Sequence, residues 1–211
     1  FVIESNDDLG NDVVAGRDHD FQVTLVRRDD NDECGIADSY NGVDQGLKVW
    51  LKRASADPGG EAFTLSSGGS SVTPPDSEPS ADNLNLDFSA GTLSQAGRAP
   101  LTLDAGDVGK FRIAVKDDTS GFAEDVTGQA RTMQGDSDSI VVRPFAFDID
   151  FNDDRADTPS DCSAQTSCAL NADDDPYFKK AGEAFATTVT AVQWQEGDDS
   201  DDDGRPDAEI G

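Results

Sequence analysis

Ser139-Ile140-Val141-Val142-Arg143-Pro144-Phe145-Ala146-Phe147-Asp148-Ile149-Asp150 decides how the chain is read. Ile140 to Val142 closes one apolar run. Phe145, Phe147, Ile149 and Phe151 then alternate with Ala146, Asp148 and Asp150, the period-2 pattern of a half-buried strand. Pro144 has no amide hydrogen for a ladder, so one central strand should not run through it. The stretch predicts two strands meeting at a short, stiff Arg143-Pro144 hinge. One β-domain would close at residue 143 and a second would open at residue 144.

Upstream, the same alternation recurs. Phe21, Val23 and Leu25 face one way in the run Asp20 to Arg28, and Leu47, Val49 and Leu51 do so in Gln45 to Lys52. Leu84, Leu86 and Phe88 follow, and Phe111, Ile113 and Val115 repeat the pattern in Lys110 to Lys116. Ala62 to Leu65 and Pro100 to Leu103 read as shorter strands. Ser66 to Ala81 reads as a Ser/Gly/Pro loop too polar to bury. Many short strands separated by turn residues predict an all-β fold, a two-sheet Ig-like sandwich over 1–143.

Downstream, Ala184 to Trp194 is a long alternating run. Ala181-Gly182 before a Phe-led strand echoes Ala15-Gly16 before Phe21. This is a weak internal repeat, so 144–211 reads as a second, incomplete Ig-like β-domain with acidic loops. Trp50 lies opposite the aliphatics of its strand. It either meets a second packed layer or sits on the surface among Lys48 and Lys52.

The charge sets further bounds. The chain carries 44 acidic and 16 basic residues, a formal net charge of −28. Of the acids, 36 are Asp and only 8 are Glu. Asp favours turns, caps and cation loops over helix interiors. Such a polyanion does not bind nucleic acid by phosphate neutralisation, and anionic lipid surfaces repel it. No run of about 20 apolar residues suits direct membrane insertion. Self-repulsion is relieved either by cations in specific loops or by a salty medium, and the low count of six lysines suits the second. Fifteen aromatics argue for packed cores rather than disorder. Phe1 begins inside a strand-like run rather than after a basic leader, so the sequence reads as a piece of a longer polypeptide whose export signal lies outside it.

The sharpest chemical motif is Asp199-Ser200-Asp201-Asp202-Asp203-Gly204-Arg205-Pro206-Asp207. Carboxylates at alternating positions can converge on a hard cation. Gly204 permits the sharp turn, and the Arg205 carbonyl offers another oxygen. The metal set is therefore Asp199, Asp201, Asp203, Arg205 and Asp207, with calcium as the expected ion. Ile210 stands where a full EF-hand loop needs a bidentate Glu, so the loop is closer to those of dockerin and thrombospondin type 3 repeats. The plain alternative is a solvated acidic tail. Asp29 to Asp32, Asp148 to Asp154 and Asp173 to Asp175 are less regular and read as solvated charge.

Cys162 and Cys168 bracket a polar pentapeptide and can close a small disulfide ring in an oxidising compartment. Two free thiols are the alternative. Cys34 is left over, either free or paired outside this sequence.

Catalytic signatures are scarce. His19 is the sole histidine and sits between aspartates at a strand lead-in. No P-loop, dinucleotide fingerprint or nucleophile elbow is present. Abundant carboxylates leave a glycosidase open by residue type, yet the abundance makes any one pair unspecific. Trp50, Trp194, Tyr40 and Tyr177 could stack on sugars, with packing as the blander and preferred reading. The residues thus point to a non-enzymatic β-module.

Several segments together resemble the family of the MSHA pilus biogenesis protein MshQ, large exported bacterial proteins encoded with type IV pilus genes. They are Cys34-Gly35-Ile36 with Tyr40-Asn41-Gly42, Leu47-Lys48-Val49-Trp50, Leu84 to Phe88, Asp107 to Phe111, Val141-Val142-Arg143-Pro144-Phe145 with Phe147, and the Ala181-Gly182 strand leading to Asp203-Gly204-Arg205-Pro206-Asp207. The Val-Arg-Pro-Phe junction is the distinctive one. The resemblance implies a surface or pilus-associated protein built of β-domains, and it transfers no catalytic residue. The expected partners are pilus or cell-surface components, and the expected location is extracellular. Two alternatives stand beside a stalk or adhesin: a carbohydrate-binding module of a secreted glycan-active enzyme, and a purely structural spacer.

Overall fold

The computed structural model describes residues 1–7, 10–28, 34–42, 45–57, 59–89, 96–124, 127–150, 187–200 and 206–207. All regular elements among them are strands: β1 (Val2–Ser5), β2 (Asp12–Val14), β3 (Asp18–Thr24), β4 (Val26–Arg28), β5 (Cys34–Ile36), β6 (Gln45–Arg53), β7 (Thr64–Ser67), β8 (Ser70–Val72), β9 (Leu84–Leu86), β10 (Arg98–Asp104), β11 (Gly109–Asp117), β12 (Met133–Asp136), β13 (Ile140–Arg143), β14 (Ala146–Asp150) and β15 (Thr188–Val192).

Two sheets face each other. One runs β1-β3-β10-β7-β8 and the other β2-β13-β11-β6-β9, with β12 beside β11. The alternating side chains meet between them. Phe21, Val23, Leu65, Leu101 and Leu103 from the first sheet join Leu47, Val49, Leu51, Phe111, Ile113 and Val115 from the second in one buried cluster. Each such burial contributes about 1.5–3 kcal/mol. The expected all-β sandwich is what the chain builds.

The sheet edges show how polar sequence is used. Ser66 to Ala81 is not all loop, because Gly68 and Gly69 both take positive φ (54° and 87°) and turn β7 into β8. A two-residue hairpin turn of that hand matches strand twist, and glycine adopts it without strain. The Ser/Thr content of these strands hid them from an apolar-periodicity reading. Beyond β8 the chain returns along the edge of β6. The Asn83 side chain acts there as a surrogate strand residue: its Oδ1 accepts the Val49 N–H (2.7 Å) and its Nδ2 donates to the Val49 carbonyl (2.8 Å). The Pro75 carbonyl takes the Leu51 N–H.

Pro100 sits inside β10, where a central strand should not tolerate it. Its partner on β3 is Gln22, and Gln22 also faces Glu4 of β1. Alternation then turns the Pro100 backbone away from β3, to the side where β7 pairing has already ended at Thr102. The Ser67 hydroxyl donates to the Pro100 carbonyl at 2.6 Å, so that carbonyl keeps a partner past the end of the β7 ladder.

At Pro144 the strand breaks: β13 ends at Arg143 and β14 starts at Ala146. The break is braced rather than loose. The Ala15 N–H donates to the Arg143 carbonyl (2.9 Å), the Phe145 N–H to the Val192 carbonyl (2.9 Å), and the Trp194 N–H to the Ala15 carbonyl (2.7 Å). Arg143 also reaches Asp12 at 3.2 Å. On the antiparallel β14–β15 pair, Phe147 and Ile149 are 62% and 53% exposed, against the expected half-burial. They share a face with Val189 and Ala191 opposite, and among the described residues no second layer covers it.

Gly16 makes the brace possible. Its φ is +89°, and a Cβ there would lie 2.5 Å from the Trp194 carbonyl oxygen. Gly16→Ala should therefore lower stability by about 1–3 kcal/mol in urea unfolding. An unchanged midpoint would contradict this packing.

Candidate functional site

The acidic loop after β15 is the first candidate. Asp199 and Asp207 are described, whereas Asp201, Asp203 and Arg205 lie outside the described residues. The two ends of the motif are tied together. The Asp207 N–H donates to the Asp198 carbonyl (2.9 Å), and the Ser200 N–H donates to Asp207 Oδ2 (2.7 Å). Those bonds from Ser200 hold the Asp207 carboxyl below its usual range. Asp199 is buried, with 7% of its surface exposed, which a solvated tail does not require. Among the described residues no three acidic, His or Cys side chains converge on one point.

Cys162, Cys168 and Tyr177 lie outside the described residues, as do Asp29 to Asp32 and Asp173 to Asp175. Cys34 carries a free, exposed thiol on β5. Its neighbour across the ladder is Arg28.

The aromatic candidates are used in packing. Trp50 is buried, with the Lys52 ammonium 5.6 Å from its ring centre. Lys48 and Lys116 both reach Asp118, and Lys52 pairs with Asp136. Trp50 therefore lies beside Lys52, as one of its two readings had it, but buried rather than on the surface, and outside the core cluster. Tyr40 is buried among Phe1, Phe88 and Phe122 in edge-on and tilted ring contacts. Trp194 lies half-buried against Gly16, with its indole nitrogen buried.

His19 is fully buried. Its Nε2 accepts the Val14 N–H at 3.0 Å, so that nitrogen is unavailable as a base. Nδ1 lies 3.1 Å from Asp7 Oδ2, short but poorly aligned, with Arg17 close to the same carboxylate. Burial pulls the imidazole below its ordinary value and Arg17 adds to this, outweighing the opposing pull of Asp7. The ring is a structural acceptor that links the end of β2 to β3.

A second polar cluster was not legible in the sequence. Asp117 is almost fully buried, yet its carboxylate accepts hydrogen bonds from the Tyr40 hydroxyl (2.7 Å), from both the Ser120 hydroxyl and N–H (2.5 and 2.9 Å), and from the Thr119 N–H (3.1 Å). Burial pushes this carboxyl up, but the donors outweigh it and keep it low. Burial and the bonded carboxylate hold the Tyr40 phenol far above its ordinary value. The pair fixes the β11 end to the β5–β6 connection across 77 residues. An Asp two residues before Thr119 and three before Ser120 signals a local turn, but nothing in the spacing points to Tyr40.

These features define a two-part, Ig-like β-sandwich protein. The domain of unknown function DUF6701, first Ig-like domain, matches residues 3–136, and the DUF6701 second domain matches 143–208. The chain belongs to the DUF6701 family. No curated protein and no solved structure matches it.

His19 sets a pH test. Its folded-state value is lowered, so the stability it contributes is present above the unfolded value near 6.5 and is lost as pH falls below it. Urea midpoints should drop from pH 7.5 to 5.5 in the parent and stay level in His19→Gln, which keeps an acceptor but does not titrate. Parallel slopes in the two proteins would contradict this role.

Proposed function

We propose that this chain is a non-enzymatic, extracellular β-sandwich segment of an MshQ-like, pilus-associated bacterial surface protein, serving as stalk or adhesin support. The observation that carries the reading is the brace at Pro144. Three backbone hydrogen bonds join Ala15, Arg143, Phe145, Val192 and Trp194, so force or orientation can pass from the sandwich to the β14–β15 pair across the Pro144 break. A spacer needs that property, whereas catalysis does not. The commitment of His19 Nε2 to a backbone amide and of Asp117 to Tyr40 and Ser120 supports the non-enzymatic side. The family assignment to Ig-like domains supports an extracellular setting.

Calcium belongs to the same proposal. Ser200 and Asp207 are hydrogen-bonded across the ends of the motif and Asp199 is buried, and a run this rich in Asp carries like-charge repulsion that a cation would offset. The Arg205 carbonyl would complete the oxygen set. Calcium at a hundredfold excess over its Kd should add about 2.7 kcal/mol of stability. Thermal melts with calcium and with chelator measure this. The melting point should rise with calcium in the parent and not in Asp203→Asn with Asp207→Asn; equal melting points in calcium and chelator would remove calcium from the account.

A further inference from the structure

The stretch Val14-Ala15-Gly16-Arg17-Asp18-His19 holds two sets of hydrogen bonds that face opposite ways. β2 runs parallel to β13 at the end of its sheet. Asn11 and Ala15 turn backbone groups toward β13: the Asn11 carbonyl takes the Val141 N–H (3.1 Å), and the Ala15 N–H donates to the Arg143 carbonyl (2.9 Å). Alternation then points the Val14 N–H away from β13, and its acceptor is His19 Nε2 at 3.0 Å. Ala15 and Gly16, the next two residues, carry the bonds to Arg143, Trp194 and Ala105. One imidazole nitrogen thus pins the strand that leads into those bonds.

A proton on that nitrogen turns the acceptor into a donor aimed at another donor. Either the ring or the strand must give way. His19 belongs to β3, a seven-residue strand paired on both sides, with Leu103 of β10 as its ladder partner. β2 has three residues and pairs on one side. His19 Nδ1 lies 3.1 Å from Asp7 Oδ2, so a carboxylate is at hand to hold the imidazolium where it is. The short edge strand yields before the ring does.

The charges around the ring set the direction. Asp7 favours the proton, and Arg17, 3.6 Å from the same carboxylate, disfavours it. Asp18 and Asp20 flank His19 on β3, Asp104 faces Asp18 from β10, and Asp12 of β2 is engaged by Arg143 of β13. Burial outweighs the pull of Asp7, so the folded chain keeps the ring neutral and proton uptake accompanies opening of the pin. Opening therefore grows as pH falls below the ordinary value of 6.5. Its equilibrium constant rises by up to about tenfold per pH unit.

We propose that His19 is a pH-sensitive latch: its protonation frees β2 and the bonds of Ala15 and Gly16, and the β14–β15 pair comes loose from a sandwich that stays folded. The stalk reading neither requires this latch nor falls with it.

Residual dipolar couplings read the release in the full chain. With the ring neutral at pH 7.5 the pair opens only with the core, so one alignment tensor should fit the amides of β3, β11, β14 and β15. Toward pH 5.0 the β14 and β15 couplings should lose their fit to that tensor while those of β3 and β11 keep it. The midpoint should match the titration of the His19 ring signal, which is unambiguous in a chain with one histidine. His19→Gln keeps an acceptor for Val14 that does not titrate, so it should hold the common tensor throughout. Couplings of β14 and β15 that keep the common tensor to pH 5.0 in the parent would overturn the latch. Loss of the fit in β3 and β11 at the same pH, which is acid unfolding, would do so too, as would release in His19→Gln at the parent's pH, which is titration of carboxylates. If His19→Gln does not fold, the parent decides alone: a release midpoint apart from that of the ring overturns the latch, and a shared midpoint supports it.

Discussion

Ala15 commits both of its backbone groups to distant segments: its N–H to Arg143 and its carbonyl to Trp194. Gly16, next to it, gives its N–H to Ala105 and leaves room for the Trp194 carbonyl. Two consecutive residues therefore tie together β2, the end of β10, the Pro144 break and the chain beyond β15. An unpaired buried amide or carbonyl costs about 1–3 kcal/mol, so these bonds cannot be dropped singly without penalty. The stiffness of the chain at Pro144 follows from this seam more than from proline itself. Proline only ends β13; the seam fixes what comes next.

Charge is handled by two different means. On the outer face of β6 and β11, lysines are held between carboxylates, as with Lys116 between Glu78 and Asp118. Inside, Asp117 stays ionised by collecting hydrogen bonds rather than by meeting a cation. Elsewhere like charges are simply tolerated: Asp18 faces Asp104 across the β3–β10 ladder, and burial together with Asp104 and Asp20 raises its carboxyl. A surface so built is stabilised by counterions in general.

Much of the fold was readable from residue pattern because sandwiches bury one face of each strand. The alternations around Phe21, Leu47 and Phe111 placed β3, β6 and β11 directly, and Pro144 located the strand break. Reading stopped where a side chain does backbone work. Ser/Thr strands β7 and β8 carry little apolar signal, and only Gly68-Gly69 marked their turn. Asn83 replaces a strand residue, Ser67 excuses Pro100, and Tyr40 reaches Asp117; each depends on contacts across tens of residues that no local pattern encodes. The regular acidic spacing from Asp199 to Asp207 could be read in the sequence, whereas the hydrogen bond that ties Ser200 to Asp207 could not.

The sandwich and the β14–β15 pair share one hydrogen-bonded seam. Amide hydrogen exchange at Phe145 and Trp194 tests it most directly. Protection at both, lost only together with that of core amides such as Val23 and Ile113, is the result this account requires. Exchange at either amide as fast as in an unstructured peptide, while the core stays protected, would show a free hinge and contradict it.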